Sequence, residues 1–383
     1  MKAVLFLLVL FLISVLPASA ADASQVDGTG SARIAELYSD LESFDVTLYS
    51  SQPEENLTLE VSLLRPERGN EEVIAEQAFS TGSFPANTMV MKVGFWEIRN
   101  AERGAYTLKA RLLEQGNVLS ESEYSFVYGS NSASRLQVDD LVPNSEGITV
   151  ALSPNQASLF DLEYMLIDGH DVIYSTKTEK ASLTSFPEAF SASWGTLLEN
   201  NKEYTGRVKV RVYSPSRGFI ASAENFTSRD DAEITDIYQD ETGASATVLG
   251  RSQVPFGGNL VFSVYKLQGT SGSGRSVFVE SVRERVPVLL NDDDETVEVA
   301  WKERLTEGVY RLEIELFGNN GDVIERRETI IESDLSPSNA SKVSPGTGNE
   351  TPGENGGNGI PGFSVAAGVA GLAMVFALFK KLH

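Results

Sequence analysis

Gly104-Ala105-Tyr106-Thr107-Leu108-Lys109-Ala110-Arg111-Leu112 sets apolar and polar side chains in strict alternation after its tyrosine, and the chain writes this line three times. After Tyr204 come Val208, Val210 and Val212, with Lys209 and Arg211 between them. After Tyr310 come Leu312, Ile314 and Leu316, with Arg311, Glu313 and Glu315 between. A period of two places one face of a strand on a core and the other in water. Each strand runs into a turn signal (Gly116-Asn117, Arg217-Gly218, Asn320-Gly321) and a second strand, so each predicts a hairpin.

Working outward, each tyrosine is preceded at nearly the same interval by one of the three tryptophans, Trp96, Trp194 and Trp301. Farther upstream, Ile34 to Tyr38, Val138 to Val142 and Ile234 to Tyr238 align without gaps, and each leads into an apolar strand around Val46, Val150 or Val248. The repeat is therefore about 100 residues long, the length of a β-sandwich. Runs with helical periodicity are hard to find in the body, and short strands with regular turns predict an all-β chain.

A tryptophan, a polar turn and then Gly-x-Tyr, as in Gly104-Ala105-Tyr106 and Gly308-Val309-Tyr310, resembles the E–F corner of immunoglobulin-like and fibronectin type III-like domains. The resemblance implies three tandem immunoglobulin-like β-sandwiches, with each tyrosine hydroxyl bonded to the backbone upstream. The middle repeat departs from it, having Lys202-Glu203 where the others have glycine. Similar modules occur in archaeal and bacterial surface-layer and adhesion proteins. The boundaries read as 31–131, 135–229 and 230–333. A tryptophan placed alike in three repeats is expected in the core; a carbohydrate-stacking platform is the alternative.

The chain has 383 residues and a formal charge of −23, from 54 acidic against 31 basic side chains. Such a balance argues against nucleic acid as a partner, because an acidic chain cannot replace the counterions of phosphates. With no cysteine, disulfides, thiolate metal sites and cysteine nucleophiles are excluded. His170 and His383 are the only histidines, and Asp168-Gly169-His170-Asp171 reads as a hairpin turn.

Both ends carry addresses. Lys2, the apolar run Ala3 to Leu16 and Ala18-Ser19-Ala20 predict a signal peptide over 1–20, cleaved after Ala20; an uncleaved anchor is the rival. Residues 334–360 are rich in Ser, Pro, Gly and Asn, a stalk composition that cannot bury a core. Pro361-Gly362-Phe363, the apolar segment Ser364 to Phe379 and Lys380-Lys381 follow. In that order they resemble the PGF-CTERM sorting signal of archaeal surface proteins, over 361–383. The resemblance implies an archaeosortase-type sorting enzyme and a lipid anchor; a retained transmembrane helix is the alternative. Asn56, Asn225, Asn339 and Asn349 head N-glycosylation sequons.

No phosphate loop, zinc helix or nucleophile elbow is present. Asp292-Asp293-Asp294-Glu295 reads as a hairpin tip whose carboxylates could hold Ca²⁺, although it lacks the spacing and glycine of an EF-hand loop. Asp139-Asp140, Asp230-Asp231 and Asp236 are similar acids near the joints between repeats, where calcium would stiffen a rod. No other cofactor is expected. The sequence thus points to a non-catalytic surface protein, structural or adhesive, that displays three sandwiches in series to envelope or surface-layer proteins or glycans. The alternatives are an accessory subunit that binds a ligand or partner and, with so many carboxylates, an extracellular hydrolase.

Overall fold

The computed structural model describes residues 31–67, 70–98, 101–129, 136–215, 217–268 and 275–334. The signal segment with Ala18 and Ala20, Asn339, Asn349, the Pro361-Gly362-Phe363 motif and Lys380-Lys381 lie outside them. Among the described residues every regular element is a β-strand, and no helix is long and apolar enough to cross a membrane.

Each repeat supplies seven strands. The first has β1 (Ala32–Ser39), β2 (Ser43–Ser50), β3 (Thr58–Glu67), β4 (Asn70–Ser80), β5 (Thr88–Phe95), β6 (Gly104–Glu114) and β7 (Asn117–Tyr128). The second has β8 (Leu136–Pro143), β9 (Gly147–Pro154), β10 (Ser158–Asp168), β11 (Asp171–Leu183), β12 (Glu188–Ser193), β13 (Glu203–Ser214) and β14 (Gly218–Thr227). The third has β15 (Ala232–Gln239), β16 (Gly243–Gly250), β17 (Asn259–Gln268), β18 (Arg275–Arg285), β19 (Asp294–Ala300), β20 (Gly308–Phe317) and β21 (Val323–Ser333). In every repeat the first, second and fifth strands form one sheet, and the fourth, third, sixth and seventh form the other. The fourth strand thus pairs with the third, unlike the ABED/CFG layout of a constant immunoglobulin domain.

Three separate apolar cores lie between these sheet pairs. The alternating residues Leu108, Ala110 and Leu112, their counterparts Val208, Val210 and Val212, and Leu312, Ile314 and Leu316 all point inward and are buried. Trp96, Trp194 and Trp301 are buried in the same cores, so none offers an exposed stacking platform. Irregularities repeat as faithfully as strands do. The first strand bulges between Ile34 and Glu36, Val138 and Asp140, or Ile234 and Asp236. The third and fourth strands shift register at Leu63/Leu64, Leu166/Ile167 and Val264/Tyr265.

One turn organises each sandwich. Between its first two strands stands Asp40, Asn144 or Asp240, whose side-chain oxygen accepts the amides two and three residues on, an Asx turn. The turn then holds the tryptophan. The backbone N–H of Trp96, Trp194 and Trp301 donates to the carbonyls of Glu42, Glu146 and Thr242. The indoles of Trp194 and Trp301 donate to the carbonyls of Asn144 and Asp240, at 2.8 and 3.2 Å. In the first sandwich the hydroxyl of Ser39 intervenes: it accepts from the Trp96 indole at 3.3 Å and donates to the Asp40 carbonyl at 2.8 Å.

The tyrosine corners differ as their sequences do. Tyr106 donates to the Glu102 carbonyl at 2.7 Å and Tyr310 to the Thr306 carbonyl at 2.9 Å, each four residues upstream. In the middle repeat, which lacks the glycine, the Tyr204 hydroxyl instead accepts from the Glu199 amide at 3.3 Å.

Two outcomes are expected from these contacts. Tyr106→Phe and Tyr310→Phe should each lower stability by ~1 kcal/mol, while Tyr204→Phe, losing a long bond, should lower it less; urea unfolding measures the difference. The second concerns pH. Bonds from the Thr242 hydroxyl, then from the Thr242 and Gly243 amides, hold the Asp240 carboxyl below its ordinary pKa. A lowered folded pKa means the contribution is present above the unfolded carboxylate value and lost as pH falls through the folded one. Asp240→Asn, which keeps an acceptor as Asn144 does, should flatten the stability profile between about pH 5 and pH 2. A midpoint-against-pH curve unchanged from that of the parent would contradict this.

Candidate functional site

Three residues past the corner tyrosines stand Lys109, Arg207 and Glu313; five past stand Arg111, Lys209 and Glu315. Strand alternation turns all six to the outer face of the four-stranded sheet. On the opposite outer face, five residues past the turn acceptor, stand Asp45, Thr149 and Ser245. Only one carboxylate therefore has a cationic face on the following repeat to meet. It is met. Asp45 is 1% exposed and Arg207 0% exposed. Asp45 Oδ2 accepts from Arg207 Nη1 at 2.9 Å, and Oδ1 from Lys209 Nζ at 2.7 Å. The second guanidinium nitrogen, Nη2, donates to the Ser43 hydroxyl at 3.2 Å.

Aromatic rings close this cluster. The Lys209 ammonium lies 4.6 Å from the Tyr38 ring centre and 5.3 Å from that of Phe219, within cation–π range. Tyr38 and Phe219, from different sandwiches, pack with centres 5.3 Å apart. Burial, and next the charge of Asp40, push the Tyr38 hydroxyl pKa far up, so it is a neutral hydrogen-bond donor to Asp40 Oδ2 at 3.0 Å. The outer faces of the other two repeats are laced internally instead. Lys109 pairs with Glu121 and Glu123, and Arg111 with Glu60. Glu313 and Glu315 pair with Arg326.

The turn between β10 and β11 docks beside this cluster. The His170 carbonyl accepts from the Val93 amide at 2.9 Å, and its Nδ1 lies 3.0 Å from the Val93 carbonyl. A carbonyl only accepts, so Nδ1 carries the proton. The ring sits edge-on against Phe79 at 4.5 Å. Asp171 bridges to Lys92 through both backbone and side chain, which joins β5 to β11 and makes one seven-stranded sheet across two sandwiches. Val93, Met165 and Ile167 form a small core of their own between them. The sequence places His170 correctly in a hairpin turn; the docking role of that turn has no sequence signature. The first two sandwiches thus lie face against face, which corrects the expectation of three in series.

The second junction uses the backbone. Ser145 lies in the Asx turn that holds Trp194; its carbonyl accepts from Gln253 and its hydroxyl from the Arg229 amide. The Leu198 amide donates to the Gln253 carbonyl, and Val254 of the third repeat packs into the core of the second. A cavity of about 440 Å³ lies alongside, lined by Glu146, Phe226, Arg229, Asp231 and Arg251 among others. Burial raises the Asp231 carboxyl pKa there.

The acidic run is not a hairpin tip. Val286–Leu290 is a connector that buries Val286 and Leu289, and Asp294 and Glu295 already belong to β19, opposite Leu249 and Val248. Asp293 is used locally, its side chain accepting from the Leu290 amide. Strand alternation turns Asp294 and Glu295 to opposite faces of β19, so the four carboxylates of Asp292, Asp293, Asp294 and Glu295 do not converge on one ion. Among the described residues no group of three or more His, Cys, Asp or Glu side chains could hold a metal, and this includes the acids at the repeat joints. Asn56 and Asn225 are both exposed; Asn56 sits at a positive φ of 59°, and Asn225 accepts a bond from Thr205.

No protein-family model matches the chain, and no curated protein matches its sequence. Among solved structures it is similar to the native conformation of E. coli alpha-2-macroglobulin, at 11% identity and a TM-score of 0.20, over 84% of this chain and 22% of that one. A DUF4785 family protein of Legionella pneumophila is 10% identical with a TM-score of 0.29, over 82% of this chain and 94% of that one. Latent PorU of Porphyromonas gingivalis is 11% identical with a TM-score of 0.21, over 77% and 32%. The chain spans about a fifth of the length of the alpha-2-macroglobulin.

Removing Asp45 strands two buried cations. Asp45→Ala should destabilise the packing of the first two sandwiches by ~3–5 kcal/mol, whereas replacing the triad together (Asp45→Leu, Arg207→Met, Lys209→Met) should be near neutral or stabilising. Calorimetry on the three proteins decides it: equal losses for the single and triple variants would refute a role founded on charge pairing.

Proposed function

We propose that this chain is a non-catalytic protein of the outer cell surface that displays its sandwiches as a preassembled body, anchored through its C-terminal segment. The observation that carries this reading is how the buried ionisable groups are used. Asp45, Arg207 and Lys209 pair with one another inside a junction between sandwiches, and Lys92 is spent on Asp171. These are structural assignments: both oxygens of the Asp45 carboxylate are already engaged by cations inside the junction, away from any surface a substrate could reach. The signal-like segment over 1–20 and the sorting-like segment over 361–383 supply the address. The exposed sequons at Asn56 and Asn225 suit glycosylation outside the cell.

The partners proposed are envelope or surface-layer proteins or glycans, met by the outer sheet faces and loops. An accessory subunit that recruits one partner by strand addition is the second reading, favoured by the exposed apolar edge of β18.

The test is protease shaving and crosslinking on intact cells, with mass spectrometry of the captured proteins and of the C-terminal peptide. Capture of envelope-lattice proteins, with the sequence after Pro361-Gly362-Phe363 removed, supports the anchored structural reading. Recovery in the cytosol with residues 1–20 retained overturns it. Co-purification with one membrane complex, the tail intact, moves the assignment to the accessory subunit.

A further inference from the structure

The third sandwich carries, uncovered, the element by which the second grips the first. In each repeat the residue of the third strand just after the register shift pairs with a fourth-strand residue: Leu64 with Val73, Ile167 with Val172, and Tyr265 with Phe278. In the second sandwich this pair is covered. Ile167 is buried and Val172 packs with it against Val93, Met91 and Phe95 of the neighbouring sandwich. In the third sandwich the same position is open. Val277, Phe278 and Val279 are 42%, 57% and 43% exposed, in succession along the edge strand β18.

The open position is enlarged into a row across the sheet. Phe278 pairs with Tyr265, Tyr265 with Arg311, and Arg311 with Ile330. The two rings meet edge to face at 5.7 Å, and the Arg311 guanidinium lies 4.9 Å from the Tyr265 ring centre. Ile330 is exposed as well. An aromatic pair with an arginine over it is the composition that dominates binding energy at protein interfaces.

We propose that this row on β18, β17, β20 and β21 docks a second copy of this chain, at the free edge and outer face of that copy's β12. The template is internal: the fourth strand of the second sandwich meets the fifth strand of the first. Of the three fifth strands, β5 is already engaged in that contact. β19 presents Glu298 to the outside at the position of Val93, counted back from the tryptophan. β12 presents Ala189, Ser191 and Ser193, exposed, small and uncharged, which admits the bulk of Phe278 and Tyr265. Phe186, 80% exposed just before β12, adds apolar surface at the same edge. Third sandwich on second sandwich is a heterologous contact, in which each copy offers one donor face and one acceptor edge, so it links copies into a ring or an open filament.

Because the chain has no cysteine, Val277→Cys and Ser191→Cys each introduce a unique thiol. The two full-length single variants are co-expressed and treated with a short bismaleimide, and the product is read in whichever fraction the protein occupies. The result therefore stands apart from the anchoring reading. A crosslinked dimer is expected from the mixture, and a ladder of higher species from the double variant. Phe278→Asp in the Val277→Cys chain should lower the dimer about tenfold or more; Phe278→Ser, milder for folding, should lower it in the same direction, with circular dichroism confirming the fold of both. No crosslink in the mixture, a dimer from Val277→Cys alone, or a crosslink indifferent to both Phe278 changes would overturn the proposal.

Discussion

A carboxylate shut away from water between two cations decides how this molecule is put together. Asp45 could not be buried alone, because desolvating one ion costs several kcal/mol. With Arg207 and Lys209 on it the cost is offset, and the cluster specifies one face, one partner and one orientation. Burial of Arg207 is not free: its Nε finds no hydrogen-bond partner. The pairing is therefore better understood as a specificity device than as a large source of stability. Around it the apolar contacts of Val93, Met165 and Ile167, and the turn at His170, supply the area.

The same logic explains why the third sandwich does not repeat the arrangement. Thr149 on the second sandwich and Glu313 with Glu315 on the third have nothing to exchange. Those glutamates are instead held by Arg326 across their own sheet, in exposed pairs worth little individually. The second junction relies on Val254 entering a neighbour's core and on backbone bonds to Ser145. Two joints in one chain of repeats thus rest on different physics, one ionic and face to face, the other apolar and carried by loops.

Repetition extends below the level of strands. The Asx acceptor, the tryptophan it holds, the first-strand bulge and the later register shift recur in all three repeats. They are parts of one device: the bulge and turn fix where the first strand stops, and the indole seals the core beneath. Substitutions inside the device are those its chemistry tolerates. Asn144 replaces aspartate because either side chain supplies the oxygen, and Ser39 relays a bond its counterparts make directly.

The sequence by itself determined the sandwiches. Strict alternation after each corner tyrosine, and the tryptophan ahead of it, are local signals whose meaning does not depend on what lies beyond the repeat. The weaker corner at Tyr204 was legible too, from the missing glycine. The sequence misplaced the run Asp292 to Glu295, because a connector with buried Val286 and Leu289 has the apolar look of a strand. Only the tertiary structure decided that Asp45 and Arg207, 162 residues apart, share a buried bond. Alternation marks both as outward-facing, which on a single sandwich means water. Whether an outer face meets water or another sandwich depends on complementarity between distant residues, and no local pattern encodes that.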